Sequence, residues 1–184
     1  MSHRPIYLAK FRQASHQRAH FGIFVPNINH SPEDPNIKSA KVIGTVYHVV
    51  GAPMCGYIHE FKRNYDVYDG SDTEDLEKLV PLGSVDSRYI YEPTTTKFSK
   101  DDTPRAELDT IALRVPAPGL SKNFMAPVND TTNRRCQEWT MDYIRALVSL
   151  KYIDPEAVDI VQAERDPPSH GIGLHSRQGA QGQT

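Results

Sequence analysis

The chain has 184 residues, of which 38% are hydrophobic and 24% are charged, a composition typical of one globular domain. It contains 21 Lys and Arg residues and 23 Asp and Glu residues, and the resulting net charge of -2 argues against electrostatic binding of nucleic acid. No apolar run approaches the ~18 residues of a membrane span, and two cysteines do not make a disulfide framework. We therefore expect a cytoplasmic protein with a single domain over residues 1–166 and a flexible tail over residues 167–184.

The first half of the sequence predicts an antiparallel arrangement of strands. Runs rich in aromatic and β-branched residues alternate there with loops that contain Gly, Asn and Pro. The predicted strands cover residues 5–11, 19–25, 41–50 and 57–62, with a further one within 79–91. Residues 93–105 are predicted to form a polar loop. Residues 106–114 are compatible with either helix or strand.

Two helices are predicted in the second half. The longer one covers residues 134–152, where apolar side chains recur every three or four positions and form one face. Thr132 or Asn133 can cap its start. The shorter one begins at Asp154, and the next residue is a proline that suits the first helical position. This helix ends near residue 164. These elements predict an α+β fold, an antiparallel sheet of about five strands packed against one long helix.

Cys136 lies in the first turn of the predicted long helix. Free backbone N–H groups and the positive end of the helix dipole favour a thiolate there, and Arg134 and Arg135 add positive charge. The spacing from Trp139 and Tyr143 also places Cys136 on the apolar face of the helix. For this cysteine taken alone, a small buried hydrophobic residue is the simpler interpretation.

Two of the eight histidines differ from the others because they lie on apolar strands. His20 begins the strand AHFGIF, and His48 lies near the end of the strand VYHVVGAP. Adjacent antiparallel strands can bring the two imidazoles side by side, and a buried pair of this kind is costly unless each ring is hydrogen-bonded. Cys136 would supply the third member of such a set. His59 also lies in mid-strand and is compatible with either a structural or a site role.

The remaining candidates have simpler interpretations. Cys55 lies in a turn beside Gly56, away from any predicted helix start, and is interpreted as structural or incidental. Asp130 and Glu138 are interpreted as capping or surface residues. No CxxC or HxxxH spacing indicates a metal site, and no glycine-rich loop indicates a phosphate site, so we predict neither a metal nor a cofactor.

Three segments, AHFGIFVP, VYHVVGAP and NRRCQEWTMDYIRAL, together resemble the circularly permuted NlpC/P60 papain-like proteins, in particular the lecithin:retinol acyltransferase-like group. The resemblance extends over residues 5–152 and implies a permuted papain-like architecture. It also implies that His20 is the catalytic base, that His48 orients it and that Cys136 is the nucleophile. The sequence further resembles an uncharacterised group of small fungal proteins that share the CQEW motif at a helix start.

The sequence departs from the acyltransferases in three ways. The connection between the two histidine strands is longer, Asn133 stands three positions before Cys136 instead of next to it, and the C-terminal membrane helix of many lipid-acting relatives is absent. The last difference favours a soluble substrate.

The resemblance therefore predicts a cysteine-dependent hydrolase or acyltransferase that acts through a Cys-His-His triad and an acyl-thioester intermediate. Its partner would be a small-molecule or peptide substrate with an ester, thioester or amide group. Two alternatives are a catalytically inactive papain-like binding module and a biosynthetic enzyme that uses the same thiolate for condensation or cyclisation.

Overall fold

Six antiparallel strands and three helices form the fold in the part of the chain that a computed structural model describes, residues 2–32, 34–35, 41–69 and 75–172. The strands are β1 (His3–Phe11), β2 (His20–Pro26), β3 (Ile43–Ala52), β4 (Gly56–Asp66), β5 (Leu76–Asp86) and β6 (Ser99–Asp101). The helices are α1 (Glu107–Arg114), α2 (Cys136–Ser149) and α3 (Glu156–Glu164). The predicted α+β class is confirmed, and neighbouring strands in the order β5-β1-β2-β3-β4-β6 are all antiparallel.

The five predicted strands are present with shifted ends. β5 ends at Asp86, whose carboxylate accepts a hydrogen bond from the N–H of Arg88 and starts a short 3-10 turn, so the strand does not reach residue 91. β6 lies inside the segment predicted as a polar loop, and that prediction is wrong for these three residues. The sequence of β6 is Ser-Lys-Asp and has no apolar pattern, so only its pairing with β4 identifies it as a strand.

Helix α2 is shorter than predicted at both ends. It begins at Cys136 because Arg135 is still extended (φ -136°, ψ -168°). Asn133 does not cap the helix, since its side-chain amide donates to two backbone carbonyls of the preceding loop. The helix ends at Ser149, and Lys151 then adopts a positive φ of 62°. The ambiguous segment 106–114 is resolved as helix α1.

All three helices pack on one face of the sheet. The side chains of β2 and β3 that share an apolar cluster with the helices are Phe21, Ile23, Val25, Tyr47 and Val49. Because successive side chains of a strand point to opposite faces, His20, Gly22 and His48 belong to the other face. That face carries a second apolar cluster, which includes Phe24 and Val46. The candidate thiol and the candidate imidazoles therefore come from opposite sides of the sheet and meet where β2 begins.

The last described residues contact the segment that leads into β2. The carbonyl of Pro167 accepts a hydrogen bond from Arg18, and the carbonyl of Pro168 accepts one from the N–H of Val128. Residues 167–172, which the sequence assigned to a flexible tail, are thus bonded to the domain; the rest of the predicted tail lies outside the described residues. In the described part of the chain, no helix has the length and apolar character needed to cross a membrane.

Candidate active site

The pairing of β2 with β3 brings two imidazoles together. Ile23 lies opposite Tyr47, and this register places His20 and His48 on the same face of neighbouring strands. Nε2 of His20 lies 2.7 Å from Nδ1 of His48, and the ring centroids are 5.0 Å apart. His48 is completely buried. The predicted juxtaposition of the two histidines is confirmed.

Gly22 leaves the space that this approach requires. A Cβ atom at this position would lie 2.7 Å from Cγ1 of Val46 and 3.6 Å from Cβ of His48. The first distance is shorter than real carbon contacts, so a side chain here would force the side chain of Val46 to move. The glycine of the HFG sequence therefore lets Val46 pack directly on the backbone between His20 and His48.

The thiol of Cys136 reaches the same point from the start of α2. Its Sγ atom lies 3.9 Å from the carbonyl oxygen of Ala19. Burial raises the pKa of the thiol, but the charge of His20, a hydrogen bond with that ring and the N–H of Phe21 outweigh burial and lower the pKa below its ordinary value. Because Nε2 of His20 faces His48, Nδ1 is the ring nitrogen left for the thiol.

The two arginines before Cys136 are not among the leading causes of its lowered pKa. Arg134 pairs with Asp142 of α2, and Nη2 of Arg135 donates to the carbonyl oxygen of Phe124 at 3.1 Å. The leading positive charge that lowers the pKa of Cys136 is that of His20. The arginines instead fix the loop and the helix that hold the cysteine.

Gln137 and Asp166 fix the cysteine relative to the histidine. Nε2 of Gln137 donates to the carbonyl oxygen of Ala19 and to Oδ2 of Asp166, both at 2.9 Å. The same Asp166 oxygen accepts the N–H of Ala19 at 2.8 Å, and its other oxygen accepts from Arg12 at 2.9 Å. Although burial raises the pKa of Asp166, these donors lower it to about 2. The residue after the thiol and the residue before His20 therefore share one hydrogen-bonded frame.

Glu138 adds a second connection and is not a surface residue. It caps α2, since Oε2 accepts the N–H of Arg135 at 2.9 Å, but its side chain is fully buried. Oε1 accepts from both Arg18 and Arg165 at 2.8 Å. Arg18 precedes β2, and Arg165 follows α3, so one carboxylate joins three segments around the site. Asp130, by contrast, is exposed as expected.

Glu60 is a site residue that the sequence analysis missed. It lies opposite His48 in the β3–β4 register, and its Oε1 is 3.0 Å from Nε2 of His48. The hydrogen bond from His48 is the main cause that lowers the pKa of Glu60. The alternation in YIHEFK indicates a strand with Glu60 on one face, but only the register of the hairpin identifies its partner.

Comparison with known proteins places the chain in a family. Residues 6–154 match the family described as "Family of unknown function (DUF6540)". The chain belongs to this family. The matched segment of the DUF6540 protein includes His20, His48, Glu60 and Cys136. No curated protein and no solved structure matches the chain.

The other candidates of this DUF6540 domain lie at the edge of the site or outside it. His59 faces the helices, where its Nε2 is 2.8 Å from the carbonyl oxygen of Val115, so its role is structural. Cys55 is exposed in the turn between β3 and β4. Tyr57 is a further residue that the sequence analysis missed. Tyr57 packs against the apolar cluster that contains Cys136, and burial and then the charge of Cys136 raise the pKa of its phenol.

We expect iodoacetamide at pH 6.5 to label Cys136 before Cys55. The thiolate is the species that reacts, and the contact with His20 increases the thiolate fraction of Cys136. The feature that favours reaction of Cys55 is its greater exposure. Peptide mass spectrometry of the folded protein measures the order. In the denatured protein, the control, both cysteines should react at similar rates. Labelling of Cys55 first in the folded state would contradict the argument from the lowered pKa.

Proposed function

We propose that this protein is a cysteine-dependent hydrolase or acyltransferase with Cys136 as nucleophile, His20 as base and His48 as orienting group. The observation that carries the proposal is the contact of the His20–His48 pair, 2.7 Å between nitrogens, beside a helix-start thiol whose pKa is lowered. A nucleophile, a base within reach and a third group that holds the base are the parts that covalent acyl transfer requires.

We further propose a permuted papain-like (NlpC/P60) architecture. Its support is the order of the elements, since the two histidine strands precede the cysteine helix in the chain. The packing of α2 against the face of β2 and β3 opposite to the histidines also supports it. In this arrangement the first turn of the helix supplies the thiol, from the same apolar face that packs on the sheet.

The chemistry proceeds through two half-reactions. His20 takes the proton of the Cys136 thiol, and the thiolate sulfur attacks the acyl carbon of the substrate. The negative charge moves to the carbonyl oxygen, which the backbone N–H of Cys136 can stabilise because the first residue of a helix has no carbonyl partner within that helix. Collapse of this intermediate breaks the bond to the leaving group, which takes the proton from His20.

The acyl group then rests on sulfur as a thioester. Water or an acceptor alcohol or amine gives its proton to His20 and attacks the thioester carbon. The carbon–sulfur bond breaks, and Cys136 recovers the proton as a thiol. Hydrolysis and acyl transfer therefore differ only in the second nucleophile, and the expected substrates are soluble esters, thioesters or amides.

The test is direct trapping of the acyl group. The protein is incubated with a panel of activated esters and thioesters, and the peptide that contains Cys136 is examined for the added acyl mass. Addition of an amine or alcohol acceptor then distinguishes transfer from hydrolysis by faster loss of that mass. Absence of an adduct with every donor would contradict the proposal and favour the binding-module alternative. An adduct that leaves as a condensed or cyclised product would favour the biosynthetic alternative.

A further inference from the structure

Glu60 completes a hydrogen-bonded row that begins at the thiol. The row consists of Cys136, His20, His48 and Glu60. His48 lies in its centre, with Nδ1 2.7 Å from His20 and Nε2 3.0 Å from Glu60. His48 is completely buried, so these two neighbours are its hydrogen-bond partners, and they come from strands on either side of β3. The side chain of Glu60 retains 20% of its exposure and forms the outer end of the row.

We propose that Glu60 is a positioning residue that sets the direction of the hydrogen bonds along this row and thereby keeps Nδ1 of His20 unprotonated, so that it can accept the thiol proton. The inference rests on the proposed function, because it assigns a role relative to His20 as base. It adds a fourth group to the three that the sequence predicts.

The direction of the hydrogen bonds follows from which groups of Glu60, His48 and His20 can donate and which can accept. An ionised carboxylate only accepts hydrogen bonds, so Nε2 of His48 must carry the proton that is shared with Glu60. A neutral imidazole has a single N–H, so Nδ1 of His48 then accepts, and Nε2 of His20 donates to it. The lone pair of neutral His20 is consequently on Nδ1, the ring nitrogen that does not face His48.

Two imidazoles without an acid have no such preference. The reversed arrangement is equally well hydrogen-bonded within the pair, but it places an N–H of His20 against the thiol, where the ring cannot take a proton. Glu60 excludes this arrangement. Its charge also stabilises the imidazolium that forms when His20 accepts the proton, as the buried acid does in serine and cysteine triads.

Other charged groups surround both ends of the row. Lys100 lies 4.0 Å from Glu60, and Lys62 also lowers its pKa. At the other end, the charge of Glu138 raises the pKa of Cys136, and the charge of Cys136 raises the pKa of Tyr57. A Glu60→Gln substitution leaves all of these in place, so a change in the titration of Cys136 reports the loss of the Glu60 charge.

The first test uses the unaltered protein. Long-range ¹H–¹⁵N spectra of protein labelled in histidine identify which nitrogen of each ring carries the proton. We expect His48 to be protonated at Nε2 and unprotonated at Nδ1 at neutral pH. This result holds whether Cys136 is a thiol or a thiolate, because His20 donates to His48 in both states. A proton on Nδ1 of a neutral His48 would overturn the inference.

The second test measures the pH profile of Cys136 alkylation in Glu60→Gln. Without the Glu60 charge the imidazolium of His20 is less stable, so the thiolate loses part of the positive charge that stabilises it. We therefore expect the pKa of the thiol to rise by about one unit, which lowers the alkylation rate about tenfold at pH values below the midpoint. Glu156→Gln, the same chemical change at an exposed position, is the control and should leave the midpoint unchanged. A Glu60→Gln profile that coincides with that of the unaltered protein would overturn the inference.

Neither test requires an acyl substrate, so the two proposals fail separately. An unshifted Glu60→Gln profile together with acyl-enzyme formation would remove the role of Glu60 and leave the proposed function intact. A shifted profile together with no acyl-enzyme from any donor would support the hydrogen-bonded row and remove the proposed function.

Discussion

Replacement of His20 by alanine is expected to slow acylation of Cys136 by about 10²–10⁴-fold, the usual contribution of a general base. The variant removes both the group that takes the thiol proton and the charge that lowers the pKa of Cys136. Cys136→Ser should lose acylation almost completely, since a hydroxyl is a much weaker nucleophile at this pH. The measurement is the rate at which an activated ester adds mass to the α2 peptide.

The His48→Ala variant separates orientation from proton transfer. The base remains in this variant, but the ring that holds Nε2 of His20 is gone, so we expect a smaller loss than in His20→Ala. Cys55→Ala is the matched control for a thiol outside the site and should acylate at the normal rate. Undiminished acylation in Cys136→Ser, or a larger loss in His48→Ala than in His20→Ala, would contradict these assigned roles.

The histidine pair could be predicted because the signals that define it are local. An apolar strand that contains a single imidazole indicates a buried ring, and two such strands in succession indicate an antiparallel pair. The structure places His20 and His48 in contact as this reasoning predicts. The α+β class also followed from strand and helix periodicity, which depend on neighbouring residues alone.

The missed parts depend on residues that are distant in the sequence. The partner of Glu60 is set by the register of the β3–β4 hairpin, in which Ala52 lies opposite Gly56, so its prediction needs the exact residues at which the turn closes. The start of α2 at Cys136 depends on the loop carbonyls that occupy the Asn133 amide. Glu138 has the sequence position of an ordinary capping residue, and its burial becomes visible only with its two arginines in place.

The burial of Glu138 leads to the largest expected effect on stability. Its carboxylate is inaccessible to solvent and bonded to Arg18 and Arg165, which keep only 7% and 15% of their side-chain exposure. Removal of one partner from a buried ion pair leaves the remaining charges poorly compensated. We therefore expect Glu138→Gln, which retains the shape of the side chain, to lower the free energy of unfolding by about 3 kcal/mol. For a chain of this length, that corresponds to a decrease of roughly 6–12 °C in the melting temperature.

Helix α2 itself offers the control for this experiment. Asp142 also contacts two arginines, Arg134 and Arg145, but its side chain is 41% exposed. Asp142→Asn makes the same change from carboxylate to amide and should cost less than about 1 kcal/mol, since the Asp142 carboxylate is itself solvated and an exposed ion pair contributes little. Denaturant unfolding of both variants measures the difference. Equal destabilisation by the two substitutions would show that burial of Glu138 does not determine its contribution to stability.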